Sequence, residues 1–353
     1  MQGYGRKLAV GLLGLGLVLA STAAEAKDSF KIAWSIYVGW MPWGWAADQG
    51  IVKKWADKYG ISIEVVQIND YVESINQYTA GGFDGCVMTN MDALTIPAVG
   101  GTDSTALIIG DFSNGNDGIV SKVAKSVADL KGQKVNLVEL SVSHYLLARA
   151  LEKDGLAERD LGGVVNTSDA DFVGVYTSAP DVEHVVTWNP LLAEVMAVPG
   201  STKLFDSSQI PGEIIDMMVV NSTELAANPG FGKALVGAWY ETMAIIAGSD
   251  DAAKAARTAM GQASGTDLAG YDAQLAATRM FFTPAEAVSF ATNPDLVATM
   301  DSVRKFSDAH GLLQGGLDAV GISFPGGKAL GDGGNVKLRF TEEYMKLAAD
   351  GAL

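Results

Sequence analysis

Past residue 30 the chain alternates short apolar runs with stretches of helical period. Lys31–Ser35 reads as a strand, and Pro42 suits the first position of a helix, where its missing N–H costs nothing. Ile51–Tyr59 continues helically to Gly60. Ile61–Ile68 alternates and is β-branched, the pattern of a half-buried strand. Val72–Ala80 is a helix closed by Gly81-Gly82, Phe83–Met88 a strand, Asp92–Ala98 a short helix and Thr105–Ile109 a strand. This βαβαβ rhythm predicts an α/β fold with a mostly parallel sheet and helices on both faces.

The rhythm then restarts. Ser126 caps a turn at 127–130, Lys134–Val138 is a strand, and Ser143–Lys153 is a helix ending near Gly155. Val164–Asn166, Val182–Trp188 and Lys203–Phe205 are strands, with helices over Asp169–Ser178 and Pro190–Met196. Ile214–Asn221 is a strand followed by Ser222 as a helix cap. Beyond it the pattern is almost wholly helical: 228–247, 250–260, 267–280, 284–291 and 294–310. Gly326–Gly334 reads as a loop, and Val336–Phe340 and Thr341–Ala349 as a last strand and helix. Two α/β units in series predict two lobes with a cleft between them. Gly118–Ser121 and Ile214–Asn221 are the expected crossings. The expected division is 27–120 for the first part of lobe 1, 121–213 for lobe 2, and 214–353 for the return to lobe 1 and a helical C-terminal region.

Residues 1–26 have a different pattern. Arg6 and Lys7 precede an apolar run from Leu8 to Ala20, and Ala24-x-Ala26 follows among small residues. That is the three-part form of a secretory signal peptide, with cleavage expected after Ala26. The apolar run falls short of the roughly 20 residues that cross a bilayer. The mature chain is therefore expected to be exported to a periplasm, without a membrane span, and monomeric.

Charge narrows the partners. The 353 residues carry 25 Lys+Arg against 41 Asp+Glu, a net charge of −16. Such a surface repels nucleic acid, so no nucleic-acid partner is expected. A single cysteine, Cys86, excludes an internal disulfide and a cysteine-rich metal cluster. With three scattered histidines, neither a metal nor another cofactor is expected. The sequence holds no G-x-S-x-G elbow, H-E-x-x-H pair or Walker A loop. No enzymatic activity is expected.

In open parallel sheets, ligands bind beyond the carboxyl ends of the strands. Those turns carry Trp40, Asp70, Asn90, Asp92, Asp111, Glu139, Trp188 and Asp216, and no Lys or Arg. Anions call for cationic side chains or bare helix N-termini. Carboxylates beside aromatic faces suit a planar cation, which stacks on Trp and donates in-plane hydrogen bonds; guanidinium has that form. Asp92, Asp111 and Glu139 are the foremost polar candidates, with Trp40 and Trp188 as stacking walls. Asp70, Asn90 and Asp216 stand second. The same residue types have plainer uses: carboxylates cap helices, and Trp43 and Trp45 suit a core.

These segments also carry a family resemblance. Trp34–Pro42, Ala46–Ile51 and Gly60–Glu64 resemble the opening of the nitrate/sulfonate/taurine-type substrate-binding proteins of ABC importers. Ala80–Gly85, Ser126–Val135 and Val185–Pro190 are similar to later motifs of that family, and the likeness runs from about Phe30 to Phe231. It implies a two-lobed, hinged, type II periplasmic binding protein with a helical C-terminal extension, and an ABC permease as partner. Asp84–Leu94 resembles the subgroup associated with urea carboxylase-type enzymes, which implies urea or guanidine as ligand. Thiamine-pyrimidine synthases and binders of a thiamine-pyrimidine precursor are similar in fold. The synthases carry a cysteine-rich motif, which one cysteine does not match.

Overall fold

The computed structural model describes residues 27–353, together with Met1. The expected leader and its cleavage point lie outside those residues. No helix among the described residues is long and apolar enough to cross a membrane.

Four strands open the first lobe: β1 (Ser29–Trp34), β2 (Ser62–Gln67), β3 (Gly85–Thr89) and β4 (Ser104–Ser113). Five more, β5 (Asp117–Ser121), β6 (Lys134–Leu137), β7 (Gly163–Asn166), β8 (His184–Trp188) and β9 (Thr202–Asp206), form a second sheet in the order β7-β6-β8-β5-β9. The chain then returns through β10 (Ile215–Asn221) and adds β11 (Thr278–Met280), β12 (Gly321–Ser323), β13 (Ala329–Leu330) and β14 (Val336–Phe340). The first sheet runs β13-β12-β14-β4-β10-β3-β1-β2, with β11 paired to β4. The two-lobed α/β architecture expected from the sequence is present.

The pairing explains the apolar pattern. β3 is buried along its whole length, between β1 in parallel and β10 in antiparallel, so it reads as a continuous apolar run. β10 runs antiparallel to both β3 and β4 because it re-enters the sheet from the other lobe. The first sheet is consequently mixed rather than mostly parallel. β5 belongs to the second sheet, antiparallel to β8 and β9. The chain therefore crosses between sheets at 114–116 and 207–214, outside both strands expected to make the crossings.

Local departures have local causes. Asn221, not Ser222, caps the helix Ser222–Ala227, its side chain accepting from the N–H groups of Thr223 and Glu224. The helix expected over 267–280 stops at Ala276, and Thr278–Met280 instead pairs with the edge of β4. The glycine-rich loop near 326–334 contains β13, paired to β12. Asp92 lies in a single helical turn, Asn90–Ala93, that runs into a wider turn over Leu94–Ala98 containing Pro97.

The helical region packs on the first lobe. Helix Pro229–Ile246 lies against helix Ile51–Lys58 so closely that a Cβ on Gly237 would enter the Trp55 ring. Helix Pro294–Ala309 starts over the Asn90 turn, where the Asn90 amide meets Met300 Sδ at 3.5 Å. Its C-terminal end reaches the second lobe, with Phe306 against the ring of Tyr145.

Candidate functional site

The two crossings are laced together. Ser113 and Ser207 share a hydrogen bond of 2.6 Å, and Ser207 Oγ also accepts from the Gly115 N–H at 2.7 Å. Ser113 Oγ accepts from the Asp117 N–H at 3.1 Å. This lacing fixes the start of β5 over the ends of β4 and β10 and brings three carboxylates into one place. Asp111 on β4 and Asp216 on β10 are register partners, and Asp216 is also opposite Thr89 on β3. Asp117 opens β5, opposite Trp188 on β8.

All three are buried. No Lys, Arg or His is among the groups that shift them. Asp111 Oδ2 and Asp216 Oδ2 have no hydrogen-bond partner among the described residues. Tyr37 O–H gives Asp111 Oδ1 a long bond of 3.4 Å. Burial pushes Asp111 and Asp117 up to about 7. Asp216 rises well above the carboxylate range, through burial first and the facing charge of Asp111 second. Closely spaced buried carboxylates cannot all ionise, so burial and mutual repulsion favour protonation of one member of the Asp111–Asp216 pair in the ligand-free site.

Aromatic rings form the walls. Trp40 lies 4.9 Å from the Tyr37 ring and 5.5 Å from Tyr71, and Tyr71 meets Trp188 edge-on at 5.8 Å. Between Trp40, Tyr71, Trp188, Asp117 and Asp216 lies a cavity of about 20 Å³. Val142 at the start of the lobe 2 helix also lines it, so both lobes contribute. A void of this size holds one or two water-sized groups, so a larger ligand enters only as the cleft opens. A second, smaller void of about 10 Å³ lies on another side of Trp40 and shares Asp216 as lining. Gly39 is required by close approach: a Cβ there would sit 2.5 Å from Asp111 Oδ2 and 2.8 Å from the Tyr37 ring.

The structure separates the candidates read from the sequence. Trp40, Trp188 and Asp216 line the cavity, and Asp111 faces Asp216 beside it. Asp92 is buried behind Tyr71, accepting from Tyr71 O–H at 2.6 Å and Thr89 O–H at 2.8 Å; burial pushes it up to about 6. It therefore orients the aromatic wall. Asn90 holds the return crossing, donating to Glu213 O at 3.1 Å and accepting from the Ile215 N–H at 3.0 Å. Asp70 caps helix Tyr71–Thr79 by accepting from the Glu73 N–H at 2.9 Å. Glu139 is exposed in an outer groove that Asp70 shares.

Six residues lining the cavity were not among the candidates, and Asp117, Tyr37 and Tyr71 are the ones with ionisable groups. Asp117 opens β5 directly after the crossing at 114–116, ahead of the expected crossing strand Gly118–Ser121. Tyr71 follows Asp70 directly, and the helix-cap pattern drew attention to the carboxylate instead of the ring.

No family model matches the chain, and no curated protein matches it. Solved structures do. The alkanesulfonate-binding protein SsuA from Xanthomonas axonopodis pv. citri, bound to MOPS, is similar with a TM-score of 0.67 and 16% identity, over 82% of this chain and 96% of that one. The periplasmic aliphatic sulphonate-binding protein SsuA from Escherichia coli gives 0.64 and 17%, over 83% and 96%. The periplasmic nitrate-binding protein NrtA from Synechocystis PCC 6803 gives 0.58 and 13%, over 93% and 99%. The fold is that of the periplasmic binding proteins. Identities this low carry the fold and leave the ligand to the site's own chemistry.

Proposed function

We propose that the chain is the solute-binding component of an ABC importer and captures guanidinium, or a cation of the same shape, between its lobes. The carrying observation is the buried group Asp111, Asp117 and Asp216, which has no cationic partner among the described residues and borders a cavity walled by Trp40, Tyr71 and Trp188. A cation there replaces the proton held by the carboxylates. Its face stacks on the rings and its N–H groups donate in plane. Contacts from both lobes form together only when the cleft is shut, so the ligand shifts the hinge equilibrium by its differential affinity. The signal-peptide pattern expected of residues 1–26 and the fold support a periplasmic protein, which in this reading acts as a monomer and delivers its ligand to a permease. A membrane sensor as the receiver is the alternative partner.

Urea is the second reading, and one observation favours it. With Asp111 and Asp117 at about 7, the site is partly protonated at neutrality, and a protonated carboxyl donates to a neutral carbonyl. Both molecules are smaller than a substituted aminopyrimidine, and a closed cavity of about 20 Å³ favours the smaller ligand. Titration calorimetry of the full chain against guanidinium, urea, taurine, nitrate and a formyl-aminopyrimidine separates these. Tight guanidinium binding that strengthens with pH supports the proposal. Anion binding without a response to guanidinium overturns it. No turnover of the bound compound is expected.

A further inference from the structure

Away from the cleft floor, His144, Glu158 and His310 gather three polar side chains within 4.8 Å of one another. They come from different parts of the molecule. His144 lies at the start of the lobe 2 helix Val142–Lys153, and Glu158 in the turn after it. His310 ends the helix Pro294–Ala309, which is tied to the first lobe through Asn90 and through Arg304, whose guanidinium donates to Leu317 O at 2.7 Å. That helix is an arm from the first lobe and its helical region to lobe 2.

The hydrogen bonds assign the protons. His310 Nδ1 lies 2.8 Å from Phe306 O, a carbonyl that only accepts, so Nδ1 carries hydrogen. His310 Nε2 lies 2.8 Å from Glu158 Oε1. Burial works against the Glu158 carboxylate, but the two imidazoles outweigh it and hold it below the usual range. An ionised carboxylate also only accepts, so the imidazolium form of His310 is the one that satisfies both contacts. His144 differs: its Nδ1 accepts from the Leu140 N–H at 3.2 Å, the arrangement of the Nε2–H tautomer, which donates to Glu158 Oε2 at 3.0 Å. That tautomer leaves His144 Nε2 without a lone pair, which speaks against a metal centre despite the suitable donor types.

We propose that His310, Glu158 and His144 form a proton-dependent latch that holds the first-lobe arm to lobe 2 in the closed protein, locked when His310 is protonated and released when it is not. It acts independently of the ligand proposed above. The other charged groups along this seam are paired elsewhere or lie on its rim. Arg149 donates to Glu213 at 2.8 and 3.0 Å and also pairs with Glu152. Lys305, on the arm, pairs with Asp301, and Arg159 and Asp308 neighbour Glu158 and His310 in sequence. Among the described residues Glu158 alone forms an ion pair with either imidazole.

The test measures the closed fraction of ligand-free full chain by energy transfer between dyes on the two lobes, from about pH 5.5 to about pH 8.5, a range that brackets imidazole titration. Wild type is compared with His310→Gln and, independently, Glu158→Gln. Cleft carboxylates also take up protons on closure, but equally in all three proteins, so the difference isolates the latch. The closed-to-open ratio of wild type should exceed that of either variant by about tenfold to a hundredfold at the acid end, the scale of one charge-assisted hydrogen bond, and converge with it at the alkaline end. Nitrogen-15 spectra of the rings should show His310 protonated on both nitrogens at the acid end and His144 on Nε2 only. Superimposable pH curves for wild type and His310→Gln overturn the latch. So does a neutral His310 at the acid end, or stoichiometric Zn²⁺ uptake that Glu158→Gln abolishes.

Discussion

Two clusters of acid lie at the junction of the lobes, and they differ in solvent rather than in residue type. The outer groove gathers Asp70, Glu73, Glu139 and Asp169 around an open space of about 290 Å³. There Asp70 accepts from the Glu73 N–H at 2.9 Å, Asp169 accepts from the Tyr71 N–H at 3.3 Å, and Glu139 is exposed. The inner cluster of Asp111, Asp117 and Asp216 has been taken out of water with two carboxylate oxygens unpartnered. Water and backbone donors settle Asp70, Glu73 and Glu139 cheaply, while half-buried Asp169, pushed up to about 6 by burial and the charge of Asp70, keeps a donor in the Tyr71 N–H. The inner ones lack both, and a buried charge without compensation is costly enough to demand a cation or a proton. Acid count does not make a site; desolvation without a partner does.

The sharpest way to break the comparison is to neutralise one inner carboxylate. Asp216→Asn should weaken guanidinium binding by about a hundredfold or more, the cost of removing one member of a buried, hydrogen-bonded charge pair. The same variant should be more stable than wild type without ligand at alkaline pH, because the like charge facing Asp111 is gone. Calorimetry and thermal melts read the two effects with opposite signs. Lost affinity with lost stability would make Asp216 a structural group instead.

The walls come next. Trp188→Leu keeps apolar bulk and removes the π face, and should cost about tenfold to thirtyfold in guanidinium affinity, on the scale of a desolvated cation–π contact. Trp188→Phe should recover much of it. Equal losses in both variants would mean that the ring is packing alone.

The pH dependence has a definite sign. Asp111 and Asp117 bind protons more tightly in the folded protein, at about 7, than an ordinary carboxylate does at about 4. Their contribution to the stability of the ligand-free protein is therefore full below about pH 4 and is lost as pH rises through about 7. Guanidinium affinity should rise over the same window. Binding near pH 6 should release one or more protons, read by calorimetry in buffers of different ionisation heat, and the release should shrink as pH rises through about 7. Proton uptake on binding would favour urea over the cation.

The fold was legible in the sequence because its signals are local: β3 as an apolar run, Ile61–Ile68 as an alternation, Gly81-Gly82 as a helix stop. The antiparallel course of β10 was not, since periodicity is blind to strand direction. β11 was hidden because Thr278–Met280 is a strand only by pairing with β4. For the site, strand ends led to Trp40, Asp111, Trp188 and Asp216. They did not distinguish these from Asp70, which occupies the same kind of turn but spends its carboxylate on the Glu73 N–H. Asp117 became visible only with the position of the crossing, because its partners Asp111 and Asp216 are long-range neighbours.

The smallest effect belongs to the outer groove and tests the comparison from its other side. Asp70→Ala removes a helix cap and should cost about 1 kcal/mol in stability. Glu139→Gln should cost less, since an exposed charge contributes little. Neither should change guanidinium affinity by more than about twofold, and that residue should vanish in high salt, because surface charges several ångströms from the ligand act through screened water. Titrations of both variants at low and high ionic strength check this. A tenfold loss that persists in salt would put the groove in direct contact with the ligand, and desolvation would no longer be what separates the two acidic clusters.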